Sequence, residues 1–309
     1  MIGCTKLLCG TATVSDIIKY GRKSQDLPPQ VLQFSSDMTP IVVWNMTNRC
    51  NLNCQHCYIN AEDRLYTGEM STEEAKTFID DLVRMKVPVL LFSGGEPLMR
   101  DDLFELGSYA NRQGVRTVIS TNGTLITAEV ARKIRDTGFQ YVGVSLDGDE
   151  PVHDSFRGKI GAFSSAIAGI RNSLAAGNKT GIRFTVNKRN FHTLPAILDL
   201  VEREKIPRFC LYHLVYAGRG REMAELDTTI DQKRQTIEIL IEKTLDFHRR
   251  GIETEILTTD NHADGIYILQ YFEKHDPERV PEIRQLLEFH GGCSAGQKMA
   301  NVDPQGNVH

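Results

Sequence analysis

Three cysteines fall within eight positions of this chain, Cys50, Cys54 and Cys57 in the run CNLNCQHCY. Thiolates are soft ligands that suit zinc or iron–sulfur centres. Crowding of this kind points to metal ligation rather than to cystines. Tetrahedral zinc would want a fourth ligand, and His56 stands beside Cys57 to supply one. An iron–sulfur cube held by only three cysteines instead leaves one iron open to a substrate or cofactor. A second segment with chemical content is Ser93-Gly94-Gly95-Glu96-Pro97. Its glycines let backbone approach a ligand closely, and its carboxylate can accept hydrogen bonds from an ammonium group. A tight turn alone would also explain Gly-Gly-x-Pro.

These residues need elements to position them, and the chain supplies a regular alternation. IVVWNM (41–46) reads as a strand that ends at the cysteine loop. Ser71 followed by Glu74 is a capping box that opens a helix over 72–86. VLLF (89–92) is a short apolar run of the kind found in buried parallel strands. The unit then repeats. Helices near 101–113, 127–137, 162–176 and 193–204 alternate with strands at 116–120, 141–146, 181–186 and 208–215. Six strands joined by helical crossovers predict an α/β fold, a partial (β/α)6 TIM-like barrel of parallel strands. Such sheets place chemistry at the C-terminal ends of strands. The cysteine loop, the Gly94-Gly95 turn, Asn122-Gly123, Asp147-Gly148 and Gly218-Arg219-Gly220 all fall there.

Three regions follow: an N-terminal extension over 1–37, a core over 38–222 and a C-terminal extension over 223–309. The first is expected to hold one short helix near 13–20, stopped by Pro28-Pro29. The last is expected to hold a long polar helix at 228–250, a further strand at 255–260 and a short helix near 280–289.

The 40% hydrophobic and 25% charged composition is that of a folded protein. A net charge of -4 gives no global reason to expect nucleic acid or an anionic membrane as partner. Local basic groups can still grip a small acidic ligand. The opening apolar stretches are broken by Lys6, Asp16 and Lys19, unlike a secretory signal. Nowhere do 18 apolar residues run together, so no membrane span is expected. Seven cysteines in 309 residues are too few and too uneven for a disulfide scaffold. A cytoplasmic location is the expectation.

The C-x3-C-x2-C spacing, the aromatic Tyr58 after the last cysteine and the GGEP run about 35 residues on together resemble the radical S-adenosylmethionine (SAM) superfamily. The resemblance covers about residues 41–220. It implies that Cys50, Cys54 and Cys57 hold a [4Fe-4S] cluster with one open iron, which the amine and carboxylate of SAM chelate. One electron then splits the sulfonium to give methionine and a 5'-deoxyadenosyl radical. The same resemblance assigns Ser93, Gly94, Gly95 and Glu96 to the methionine amine, and Ser145 and Asp147 to the ribose. Arg183 is assigned to a carboxylate of SAM or substrate. Asn122 joins this set, although the turn with Gly123 accounts for it equally. His56 takes a position often aromatic in the superfamily, and is expected to pack beside the cluster rather than ligate it.

The opening MIGCTKLLCGT…DIIKYGR, the core and the cysteine-bearing tail further resemble the haem-biosynthesis branch of the superfamily, most closely its didecarboxysiroheme deacetylases. That implies removal of two acetate side chains from 12,18-didecarboxysiroheme to give iron-coproporphyrin III. The iron-tetrapyrrole would be the substrate, and a ferredoxin or flavodoxin the electron donor. A polycarboxylate substrate needs cations, for which Arg157, Arg183, Arg219 and Arg221 are candidates. His213 is a candidate catalytic residue, as proton donor or near the substrate iron, with a packed core histidine as the alternative. Cys293 in GGCSAG resembles the start of SPASM-type extensions, implying a second [4Fe-4S] cluster in the full-length protein. Cys210, from its strand context, reads as a packing residue. Two other readings stay open: propionate removal towards haem d1, and a radical SAM peptide maturase, for which the front extension looks short.

Overall fold

The computed structural model describes residues 1–10, 39–293 and 295–309. The helix expected near 13–20 and the Pro28-Pro29 stop lie outside them. The expected alternation is present. Strands β2 (Ile41–Asn45), β3 (Val89–Ser93), β4 (Arg116–Thr121), β5 (Val142–Ser145), β6 (Thr180–Val186) and β7 (Arg208–His213) follow one another in parallel. Helices α2 (Thr72–Arg84), α3 (Leu103–Arg112), α4 (Ala128–Thr137), α5 (Glu150–Arg157), α6 (Ala162–Ala175) and α7 (Leu194–Arg203) form the crossovers. The result is a curled half-barrel rather than a closed one.

The sheet continues past this core on both edges. After the long helix α8 (Ile230–Arg249), strand β8 (Glu255–Thr259) lies parallel to β7. The first residues add β1 (Ile2–Gly3), antiparallel to β8, and then helix α1 (Cys4–Cys9). After α9 (Ala263–His275) and α10 (Val280–His290), strand β9 (Met299–Val302) lies parallel to β2. The full order is β1-β8-β7-β6-β5-β4-β3-β2-β9. All three regions of the sequence therefore feed one sheet.

Local sequence explains the boundaries. The Ser71 hydroxyl accepts from Glu74 N while the Glu74 carboxylate accepts from Ser71 N at 2.8 Å, so the capping box forms. Thr229 and Gln232 form another at the start of α8. Helix α5 was not expected. The Asp147-Gly148 turn hides its start, where Asp149 caps Val152 N and Pro151 occupies the first turn.

Residues alternate between two faces of each strand. Val42, Trp44, Leu90, Phe92, Ile119, Val144, Ile182, Phe184, Phe209 and Leu211 join one large core under the helices. On the opposite, concave face, Val89, Val118 and Tyr141 form a separate small cluster with Ile41 and Leu91. Above that apolar floor the concave face turns polar towards the strand ends. Asn45, Ser93, Ser120, Ser145, Arg183 and Tyr212 share its register.

Candidate active site

The cysteine loop leaves β2 and arches over the ends of its neighbours. Each crossing is fixed by named bonds. Asn51 donates to Thr124 Oγ1 at 2.9 Å and accepts from Asn122 Nδ2 at 2.8 Å, above β4. Asn53 N and Gln55 N donate to Arg157 O and Phe156 O at the end of α5. Arg219, beyond β7, donates from Nε to Cys54 O at 2.8 Å, from Nη1 to Ala61 O at 3.1 Å and from its backbone N to Cys57 O at 2.9 Å.

The three thiols lie around one apolar patch of Leu52, Ala61 and Ala162, with Cys50 and Cys54 buried and Cys57 half-buried. Every one of these sulfurs faces an N–H donor. Asn122 Nδ2 is 3.9 Å from Cys50 Sγ, Arg157 Nη1 is 3.5 Å from Cys54 Sγ, and Ala61 N is 3.3 Å from Cys57 Sγ. Donors aimed at sulfur favour thiolate, the form that ligates metal. Burial alone works the other way, pushing the Cys50 thiol up to about 12 and raising Cys54 against the pull of Arg157. A bound cation would supply the missing opposite charge. Among the described residues no three His, Cys, Asp or Glu side chains converge to hold a single metal ion. A cluster of several irons has no need of such a point. His56 packs as expected, its ring parallel to Phe156 within 2° at 4.2 Å. This donor set fits an iron–sulfur cluster better than a lone zinc.

The Gly94-Gly95 turn serves the loop directly. A Cβ on Gly94 would lie 2.5 Å from Thr47 O, and one on Gly95 2.2 Å from Arg49 O. Gly95 N donates to Thr47 O at 2.7 Å and Glu96 N to Arg49 O at 2.8 Å. Both glycines thus bring β3's exit hard against the stem of the cysteine loop. Glu96 departs from expectation. Its buried carboxylate accepts from Thr121 Oγ1 at 2.7 Å, Asn122 N at 2.8 Å and Leu98 N at 3.1 Å. Those oxygens brace the ends of β3 and β4 instead of standing free for an ammonium. Burial raises this acid and the three donors oppose it. Ser93 is buried, with its Oγ 3.4 Å from the Tyr58 hydroxyl, which bonds Asn45 Oδ1 at 2.6 Å.

Asp147 also departs from its assignment. It is fully buried, ion-paired to Arg157, and accepts from Thr185 N at 2.6 Å. These two partners each use one oxygen of the carboxylate. Arg157, a candidate substrate cation from the sequence, ends α5 and connects Asp147 to the Cys54 sulfur. Asp147 is a positioning residue for the cysteine loop, and Arg157 is not free to grip substrate.

Arg183 and Ser145 pair in register on the concave face. The Arg183 guanidinium bonds Ser120 Oγ and lies over the Tyr212 ring, 4.6 Å from its centroid. Ser120 and Tyr212 were missed by motif reading. Strand parity could have found them, since each shares the face of Arg183. The same parity corrects His213. It follows Tyr212, so it faces the helices, where its Nε2 lies 2.8 Å from Asp264 Oδ2 and Thr258 bonds the same oxygen. The packed alternative is the one found. Arg221 is exposed.

With this geometry in place, comparison with known proteins defines the class. The Radical SAM superfamily profile matches residues 44–201, and the chain belongs to that superfamily. It is closely related to an Fe-coproporphyrin III synthase of Methanosarcina barkeri, 52% identical over 309 residues, 100% of this chain and 77% of that protein. A pre-heme d1 synthase of Dinoroseobacter shibae is 40% identical over 91% of this chain and 70% of its own length. Among solved structures, Streptococcus suis SuiB bound to S-adenosylmethionine superposes with TM-score 0.69 at 17% identity, over 88% of this chain. This chain spans 60% of SuiB's length, and the likeness is one of fold. No described helix is long and apolar enough to cross a membrane.

Proposed function

We propose that this radical SAM enzyme serves haem biosynthesis, removing two acetate side chains from iron-bound 12,18-didecarboxysiroheme to give iron-coproporphyrin III. One observation carries the reading. The 52% identity runs the whole length of the chain, through β1, α1 and the segment beyond β7 that the superfamily profile does not reach. Cys50, Cys54 and Cys57 are the proposed ligands of a [4Fe-4S] cluster with one open iron. Cluster and SAM together would supply one-electron chemistry, reductive cleavage of the sulfonium to a 5'-deoxyadenosyl radical.

The chain's own residues supply position, charge and exclusion of water. Ser93, Gly94, Gly95, Asn122 and Ser145 line the strand ends beneath the cysteine loop, where SAM is proposed to bind. Glu96 and Asp147 hold those ends in place from behind. Arg183 faces the concavity level with Ser145, suited to a carboxylate of the polycarboxylate substrate. Arg208 lies at the far end of β7, 3.6 Å from Glu255. A low-potential carrier of the ferredoxin or flavodoxin class is the proposed electron source. Cys293 is exposed. A second [4Fe-4S] cluster is proposed for the full-length protein, with Cys293 as one of its ligands.

The test is anaerobic incubation of cluster-loaded protein with SAM, dithionite and iron-didecarboxysiroheme, with mass spectrometry of nucleoside and tetrapyrrole. Deoxyadenosine together with iron-coproporphyrin III is the expected result. Deoxyadenosine with the acetates intact would reject the substrate and leave the superfamily chemistry standing. The likeness to pre-heme d1 synthase makes propionate removal the second reading, and the same spectra separate the two.

A further inference from the structure

The run Gly218-Arg219-Gly220, just beyond β7, lies backbone to backbone against the cysteine loop. Gly218 holds φ at 53°, and a Cβ there would lie 2.3 Å from Cys57 O. A Cβ on Gly220 would lie 2.4 Å from Val215 O and 3.6 Å from His56 O. Two glycines let the turn close on the loop and press the residue between them onto it. Arg219 N donates to Cys57 O, while its side chain reaches Cys54 O and Ala61 O. Ala61 N in turn donates to the Cys57 sulfur.

Two features of this arginine go beyond a staple. Its Nη2 is closed off from solvent and has no hydrogen-bond partner. A buried N–H without an acceptor is costly, so this one asks for an acceptor that the polypeptide does not supply. Its charge is also unpaired. The side chain bonds carbonyl oxygens, and no carboxylate forms an ion pair with it among the described residues. Acids do stand around the thiols. Asp147 is paired with Arg157, but Glu96 and Glu69 accept from neutral donors only. The charge of Glu96 adds to burial in raising the Cys50 thiol, and Glu69 accepts from Asn48 N at the loop's stem. His56 adds no charge, since burial and then both arginines hold its ring well below the usual pKa. The pairs Arg49–Asp63 and Arg64–Glu62 are open to solvent, where water and salt screen them. The surroundings of the thiols are therefore not positive. Arg219 offsets an excess of negative charge, which would grow without it.

We propose that Arg219 is a positioning residue for electron uptake: it fastens the cysteine loop to the turn beyond β7 and supplies the counter-charge that lets the iron–sulfur centre accept an electron. The proposal rests on the [4Fe-4S] cluster proposed above. The centre gains one electron from the low-potential carrier, and no covalent bond changes. One more unit of negative charge then sits among Leu52, Ala61 and Ala162. Net charge and hydrogen bonding set such potentials. A fixed guanidinium nearby favours the more negative state, so its removal makes the centre harder to reduce. Arg219, a candidate for a substrate carboxylate from the sequence, is thereby committed to the loop.

The experiment sets Arg219→Gln and Arg219→Met, which lose the charge, beside Arg219→Lys, which keeps it and loses the planar fork. Each protein is loaded with iron and sulfide without oxygen. The midpoint potential is read at one pH, without SAM, by redox titration followed by electron paramagnetic resonance, so that only loaded protein reports. Both neutral variants should be harder to reduce. Their oxidised-to-reduced ratio at a given potential should rise about tenfold, a one-electron shift of about 59 mV to lower potential. Arg219→Lys should stay within about twofold of the wild-type ratio. Iron loss to a chelator should quicken in all three variants, because all three break the fork. Wild-type potentials in the neutral variants would overturn the proposal and leave Arg219 a staple only. So would an equal shift in Arg219→Lys, since loss of charge would not then be its cause. A wild type that takes up no reducible cluster would instead reject Cys50, Cys54 and Cys57 as ligands, and this proposal with them.

Discussion

The two faces of β6 and β7 carry neighbouring residues of the same strands to opposite fates. On the helix-covered face Phe184, Val186, Phe209 and Leu211 join the main core, and the polar His213 is closed off in a pair with Asp264. On the concave face Arg183, Cys210 and Tyr212 line a half-barrel, with glycines as neighbours. A Cβ at Gly143 would lie 2.9 Å from Arg183 Cδ, and one at Gly181 2.2 Å from the Tyr141 hydroxyl. One face is filled to hold the fold, while the other is hollowed to seat long polar side chains. Substitutions should therefore separate stability from chemistry according to strand parity.

The sharpest way to break this comparison lies with the cysteines. Cys54→Ala should lower deoxyadenosine formation by roughly a thousandfold or more and reduce bound iron, because a proposed ligand is lost. Cys210→Ala, on the concave face but outside the loop, should keep the iron content and brown colour of wild type. Equal iron loss in both would show that the loop has no special claim on the metal. Next in size is Arg157→Met. It leaves the carboxylate of Asp147 buried without its partner and removes a donor from Cys54. Breaking a buried ion pair costs about 3–5 kcal/mol. Urea unfolding should show that loss, and iron should come away from the variant faster under chelator. Unchanged stability would mean that the pair is not needed to hold α5 to the loop.

A matched pair of variants tests parity itself. Arg183→Lys keeps the charge but loses the planar fork, and should lower kcat/KM by about tenfold or more with little change in Tm. His213→Asn, one face away, should cost about 1–3 kcal/mol of stability by disturbing the Asp264 pair. Its kcat per folded molecule should match wild type. A drop in kcat for His213→Asn without loss of stability would return that histidine to the reacting centre.

Much of this was legible in the sequence, where the signal was local and periodic. The six parallel strands, the capping box at Ser71 and the cysteine run are all short-range patterns. Helix α5 was hidden because its cap follows a turn motif that reads as loop. Strand β1 is two residues long and finds its partner about 250 positions away, a pairing without a local signature. The site was half legible. Gly94, Gly95 and Asn122 do meet at the cysteine loop, but reading them as ligand contacts missed that they first hold the loop. A carboxylate such as Glu96 or Asp147 looks the same in sequence whether it faces a ligand or a backbone amide. Only the partner decides, and the partner is a tertiary fact.

The smallest expected effect concerns the joint behind the site. His153 Nδ1 accepts from Asp147 N at 3.0 Å, so the ring must be neutral at that nitrogen. Burial, with Arg157 nearby, lowers its pKa from 6.5 to about 3. The unfolded chain therefore binds a proton that the folded chain refuses, and stability must fall as pH drops below about 6.5 towards 3. The slope approaches about 1.4 kcal/mol per pH unit, which gives about 1 kcal/mol between pH 6.5 and 5.5. His153→Asn keeps an acceptor near the Nδ1 position but cannot take the proton. Urea unfolding at pH 7.5, 6.5 and 5.5 should show wild type losing that increment and the variant losing less by the same amount. Carboxylates titrating elsewhere affect both proteins alike and cancel in the difference. Parallel pH profiles would mean that the ring is protonated in the folded state. In that case the Asp147 backbone amide could not be held by it, and the bracing of the cysteine loop through Asp147 and Arg157 would need another support.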